Sequence, residues 1–251
     1  MRSLPAVAVS LLILGVVPAS ATTYTGSLTY TAPPPPGADD GIYVIGISGQ
    51  WPDYDISMSW TVSDEDPYDT TYLWKYTYTF DLDYSDTWGS ISHIMIEGSE
   101  GISSGDIIGT TGALVDSVGY QAVNYGFDDM PEDMWGINFD PPTADDYFTM
   151  TWSFWSDRAP VWGDFYARCG GGPGGDEINK AYNYNNDGLG TELGFLDPNG
   201  LDNVLDDIDP TDPPSNGSID YHILRPDSYI PEPATIGLVV FAGLLVVRRR
   251  R

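Results

Sequence analysis

Residues 72–82 constrain the fold more than any other stretch of this chain. Tyr72, Trp74, Tyr76, Tyr78, Phe80 and Leu82 alternate strictly with Leu73, Lys75, Thr77, Thr79 and Asp81. Successive side chains of a strand point to opposite faces, so this order gathers the aromatics on one side and most polar groups on the other. A helix would scatter the same aromatics around its axis. The segment therefore reads as a half-buried strand, and the chain must supply a second apolar layer to cover it.

The same period recurs. Tyr24, Gly26, Leu28 and Tyr30 share a face within Tyr24–Thr31, and Ile56, Met58, Trp60 and Val62 share one within Asp55–Val62. Further strands are expected at Ile42–Ile47, Ile91–Glu97, Trp135–Phe139, Tyr147–Trp155, Trp162–Arg168 and Tyr221–Leu224. Roughly nine short strands between Gly, Pro and Asp turns predict an all-β fold, an antiparallel β-sandwich or jelly roll. Pro33–Pro36 reads as a polyproline spacer or edge loop. Residues 170–218, rich in Gly, Asn and Asp, read as a long polar surface loop with one short helix at most.

The two ends have a different composition. Arg2, the apolar stretch Leu4–Val17 and the small residues Ala19-Ser20-Ala21 make a secretory signal peptide spanning residues 1–21, cleaved after Ala21. At the other end, Pro231-Glu232-Pro233 precedes the apolar run Ala234–Val247, and Arg248, Arg249, Arg250 and Arg251 follow. As a helix that run rises about 21 Å, short of a bilayer's hydrocarbon core of about 30 Å. Flanking residues, snorkelling arginines and local thinning can cover part of that gap. The arginines then form a cytoplasmic stop, and residues 22–230 lie outside as a β-rich ectodomain. Gly237 and Gly243 leave one side of the helix slim, suited to another membrane helix.

Residues 231–251 closely resemble the PEP-CTERM sorting signal of Gram-negative bacteria. Pro231, Glu232 and Pro233 carry the motif, residues 234–247 the transmembrane helix, and the four arginines the basic end. The resemblance implies processing by an exosortase-type membrane enzyme. It also implies export across the inner membrane, anchoring before processing, and final residence at the cell surface or in the extracellular matrix. Such cargo is associated with exopolysaccharide and biofilm. Ile91–Glu97, Phe154–Arg168 and Ile223–Ser228 are similar to stretches of ectodomains that accompany this tail, which implies an architecture but no reaction.

Charge narrows the partners. Of 37 acidic residues only Glu232 lies outside residues 22–230, whereas the basic residues inside are Lys75, Arg158, Arg168, Lys180 and Arg225. Nothing there neutralises phosphates, so nucleic acid is excluded. Eight tryptophans and seventeen tyrosines argue equally against disorder. Cys169 is the sole cysteine, so no internal disulfide forms. Next to the glycine run 170–175 it reads as an incidental thiol, with an intermolecular bridge or reactive thiol as the alternative.

No catalytic motif emerges. His93 falls on an apolar strand face and reads as a packed imidazole, and His222 is remote from it in sequence. Arg158 reads as the partner of Asp157 or Asp164 in a turn, or else as a clamp for a carboxylate. Trp152, Trp155 and Trp162 read first as core and second as platforms for sugar rings. Asn183, Asn185, Asp187 and Gly188 have the spacing that opens an EF-hand loop, but position twelve is Gly194 where a Glu is required. Asp197, Asn199, Asp202, Asp206, Asp207 and Asp209 add hard oxygens. Calcium is thus the one metal this composition invites, against the plainer expectation of a solvated turn.

The expectation is an exported, non-enzymatic structural or adhesive protein of a polysaccharide matrix. A carbohydrate-binding module and a glycoside hydrolase are the alternatives. Exposed aromatics along a groove would favour the first alternative, and paired carboxylates on a cleft floor the second.

Overall fold

A computed structural model describes residues 21–32, 41–46, 49–83, 89–121, 130, 133–143, 148–169, 179–183 and 209–226. Residues 1–20 of the expected signal peptide, the polyproline run, Asn185 to Asp207 of the proposed calcium loop and the whole expected sorting tail lie outside them. Among the described residues the chain is all-β. Its only helical turns are the 3-10 turns Trp51–Asp53 and Ser104–Asp106. No helix among these residues is long and apolar enough to cross a membrane.

Five strands form one sheet: β1 (Thr23–Tyr30), β3 (Ile56–Ser63), β4 (Trp74–Leu82), β9 (Thr149–Ser156) and β6 (Ile107–Thr111), in the order β1-β3-β4-β9-β6. Six form a second: β2 (Ile42–Ile45), β12 (Lys180–Asn183), β11 (Phe165–Cys169), β5 (Ile91–Glu97), β8 (Met134–Asp140) and β7 (Leu114–Gln121), in the order β2-β12-β11-β5-β8-β7. A two-stranded ribbon joins β10 (Pro160–Gly163) to β13 (Ile223–Pro226). Every pairing between these strands is antiparallel.

The alternating segments behave as their pattern requires. Ile56, Met58, Trp60, Val62, Tyr76, Tyr78, Phe80 and Leu82 are all buried. Register sets Tyr76 opposite Phe154 and Tyr78 opposite Trp152, with ring centroids 5.4 Å apart in each pair. Phe139, from the other sheet, enters between them at 5.6 Å from Trp152 and 5.5 Å from Phe154. Such pairs contribute about 0.5–1.5 kcal/mol each beyond the area they bury. One apolar core thus draws on both sheets, and Ile223 and Leu224 of β13 belong to it.

The ribbon threads into that core. The buried Tyr78 hydroxyl donates to the Leu224 carbonyl at 2.8 Å. Gly163 permits the approach, since a Cβ there would lie 2.0 Å from Arg225 Nε. This accounts for one departure from the expected strands. Trp162–Arg168 is not continuous but breaks at Asp164, its first part pairing with β13 and its second with β5 and β12.

Three strands were not foreseen. In β7 a bulge between Val115 and Ser117 shifts the side-chain parity, and in β6 the pairing is irregular between Ile108 and Thr111. β12 lies inside the segment expected to be a polar loop, yet Ala181, Tyr182 and Asn183 are buried. Four residues are too few for alternation to stand out.

Candidate functional sites

Two regions carry unusual chemistry. The first is a buried charge cluster centred on Arg225, 4 % exposed at the third position of β13. Its Nε lies 3.1 Å from Glu97 Oε2, its Nη1 donates to Ser99 Oγ at 2.7 Å, and its Nη2 pairs with Asp209. Glu97 Oε2 also accepts the Asp164 amide at 2.9 Å. Asp164, itself buried, has His222 Nε2 at 3.7 Å from its Oδ1. His222 Nδ1 sits 3.2 Å from the Ile219 carbonyl, which can only accept, so Nδ1 carries the proton.

Three carboxylates around one guanidinium exceed its charge. Burial above all, and then the charges of Asp209 and Asp164, push Glu97 up to about 8 against the pull of Arg225. Arg225 itself is held charged by the same carboxylates.

The second region is the outer face of the five-stranded sheet. The outward positions of β1, β3, β4 and β9 are all serine or threonine except Lys75, Asp81 and Trp155. Register aligns them into rungs: Thr25, Thr61, Thr77 and Ser153; Ser27, Ser59, Thr79 and Thr151; Thr29, Ser57, Asp81 and Thr149. Strand spacing and rise make this a lattice of roughly 4.8 by 6.8 Å. Some rungs are cross-linked, Thr79 Oγ1 to Thr151 Oγ1 at 3.0 Å and Thr23 Oγ1 to Ser63 Oγ at 2.7 Å. Between them lies a shallow depression of about 440 Å³ lined by Thr25, Gly26, Ser27, Ser59, Trp60, Thr61, Thr77 and Thr79.

The residues singled out from sequence are dispersed. Trp152 and Trp162 are core, as first expected. Trp155 is half-buried at the border of the hydroxyl face, its Nε1 donating to the Asp66 carbonyl at 2.7 Å and Lys75 Nζ 4.6 Å from its ring. His93 packs against Tyr166, and burial, with the nearby Arg168 charge, lowers its pKa to about 4. Cys169 is buried, with Asn179 N 3.1 Å from its sulfur, so the alternative of an intermolecular bridge or reactive thiol lacks the exposure it needs.

Arg158 pairs as expected with Asp157, at 3.5 Å, but its principal partner is Asp106 and not Asp164. Nη2 and Nε reach Asp106 Oδ1 at 2.7 and 3.1 Å, while Ser103 donates its amide and hydroxyl to Oδ2. This pairing fastens the end of β9 to the turn before β6. Arg158→Ala is expected to cost about 2–3 kcal/mol, as for charge-assisted bonds lost from a partly buried site. Arg158→Lys should recover less than half of that, because one ammonium cannot reproduce the two-nitrogen contact. Urea denaturation of the three proteins measures both.

Asn183, the first residue of the EF-hand-like spacing, turns into the protein. Its Oδ1 accepts the Phe165 amide at 2.9 Å and its Nδ2 donates to the Tyr221 carbonyl at 2.7 Å. Its side chain thus ties β12 to β11 and to the segment before β13. Asp209, another proposed oxygen donor, serves Arg225. Among the described residues no group of His, Cys, Asp and Glu is arranged to hold a metal ion.

Sequence reasoning missed Glu97, Asp106 and the role of Arg225. The last had a signal: a lone arginine inside Ile223-Leu224-Arg225-Pro226, in a chain with 37 acids, must find carboxylates. Comparison with protein families, with characterised proteins and with solved structures gives no match.

Proposed function

We propose that this is an exported β-sandwich protein of the cell surface or extracellular matrix, delivered by an exosortase-type system in a Gram-negative bacterium. Its role is structural or adhesive, within an exopolysaccharide matrix. The observation that carries this proposal is the ordered tail: Pro231-Glu232-Pro233, then the apolar run 234–247, then Arg248 to Arg251. The N-terminal leader ending at Ala21 accords with it. Ala21 is exposed and the first strand starts at Thr23, which leaves the cleavage point outside the sheet. The last described strand ends at Pro226, a few residues before the motif. The chain's ionisable groups also favour a scaffold: Arg158 and Arg225 brace elements of the fold, and Glu97 and Asp209 converge on Arg225.

The test is a fusion of residues 229–251 to a secreted reporter in a host that carries the sorting system. Cleavage near Pro231 is expected, and Glu232→Ala should slow it at least tenfold. Equal processing of the two fusions would remove the sorting argument. The carbohydrate-binding alternative gains support from one specific feature, the uncharged hydroxyl face.

A further inference from the structure

We propose that the serine and threonine face of β1, β3, β4 and β9 docks an uncharged, hydroxyl-rich glycan chain. The proposal rests on the matrix role above and names the contacting surface and the class of polymer.

Charge is the first argument. In a chain of net charge −27, this face carries one acid, Asp81, at one end and one base, Lys75, at the other. Elsewhere the protein repels polyanions, and it offers little to attract them. This surface is the place where a neutral polymer meets no electrostatic cost and a polyuronate gains nothing.

Hydrogen-bonding capacity is the second. Among the described residues the hydroxyls of Thr25, Ser27, Ser59, Thr61 and Thr77 have no protein partner. A hydroxyl offers one donor and two acceptors, so even the paired Thr79 and Thr151 keep an O–H between them to donate. Those free groups line the depression of about 440 Å³, within the range of small-ligand sites. A sugar's hydroxyls present the same mixture of donors and acceptors.

Shape and rigidity are the third. Apart from Trp60, the side chains lining the depression are serines and threonines, and each is fixed by a strand paired on both sides or, for β1, by a covered edge. Asn216 Oδ1 accepts the Thr25 amide at 2.9 Å and the Gly217 amide donates to the Thr25 carbonyl at 2.8 Å. At one border Trp155 and the exposed Tyr68, ring centroids 5.6 Å apart, add an aromatic wall. Short β-branched side chains lose little entropy when a ligand settles on them.

The test uses the full-length chain in mild detergent, run by native affinity electrophoresis through gels containing dextran, hydroxyethyl cellulose or alginate. Retardation by at least one neutral polymer and none by alginate is expected. Thr61→Val/Thr77→Val removes two hydroxyls without touching the core and should weaken retardation about tenfold. Ser59→Asp/Thr77→Asp should abolish it in protein that still melts cooperatively, at a somewhat lower temperature. Retardation by neither neutral polymer, or equal retardation of all variants, overturns the proposal. Preference for alginate overturns it too, as does a dimer in sedimentation that Ser59→Asp/Thr77→Asp dissociates, which would assign the face to a second copy. These outcomes are independent of the tail fusion, so glycan docking can fail while the export reading stands.

Discussion

Replacing Arg225 by methionine is expected to destabilise the protein by about 3–5 kcal/mol, the range seen when one member of a buried ionic group is removed. The guanidinium is buried and serves Glu97, Asp209 and Ser99 together. Without it, Asp209 and the nearby Asp164 keep their mutual repulsion but lose their counter-charge, and Glu97, protonated below about 8, loses its buried partner. The deficit should shrink at acid pH, where protonation relieves the repulsion. Adding Glu97→Gln and Asp209→Asn to the methionine variant should restore much of the loss, because neutral partners need no cation. Guanidinium denaturation of the series provides the measurement. A loss below about 1 kcal/mol in the single variant would mean that the core, and not this cluster, holds β13 in place.

The second large effect is a pH profile. Burial and the neighbouring acids raise Glu97 from an ordinary value of 4.5 to about 8. Between those values the folded protein holds a proton that the unfolded chain has released, so stability falls with rising pH by up to about 1.4 kcal/mol per unit. His93 acts in the other sense. Its pKa is lowered from 6.5 to about 4, so between those values the unfolded chain holds the extra proton and stability rises with pH. The two windows oppose each other from about 4.5 to 6.5, where the profile should be shallow. From 6.5 to 8 Glu97 acts alone, and a loss on the order of 2 kcal/mol is expected. Glu97→Gln should abolish the decline above 6.5 and expose the rise below it. Thermal melts from pH 5 to 9 would show this, and an unaltered slope in the Gln variant would exclude Glu97 as its source.

Legibility in the sequence followed how each strand is buried. β1, β3, β4 and β9 bury one face and expose the other, so their residues alternate and could be read directly. β6 and β7 depart from the rule through an irregular register and a bulge, which break the parity that reading depends on. β12 is short and β11 is buried on both faces, so neither alternates clearly. The sites were harder still. Threonines and serines could be assigned outward one strand at a time, but only the order β1-β3-β4-β9 aligns them into rungs. Glu97 and Arg225 lie too far apart in the chain for any local pattern to join them, and Asp106 is hidden in a single 3-10 turn.

The position of β13 has a consequence for the timing of folding. Ile223 and Leu224 join the core between two sheets whose strands, among the described residues, all precede residue 184. Polypeptides are made from the N-terminus, so until β13 is synthesised this chain has its walls without its keystone. Tyr78 lacks the Leu224 carbonyl, and Glu97 and Asp164 lack their cation, until residues 224 and 225 emerge. Completion of the core, with its Tyr78 hydrogen bond and its buried cation, is thereby tied to the arrival of β13.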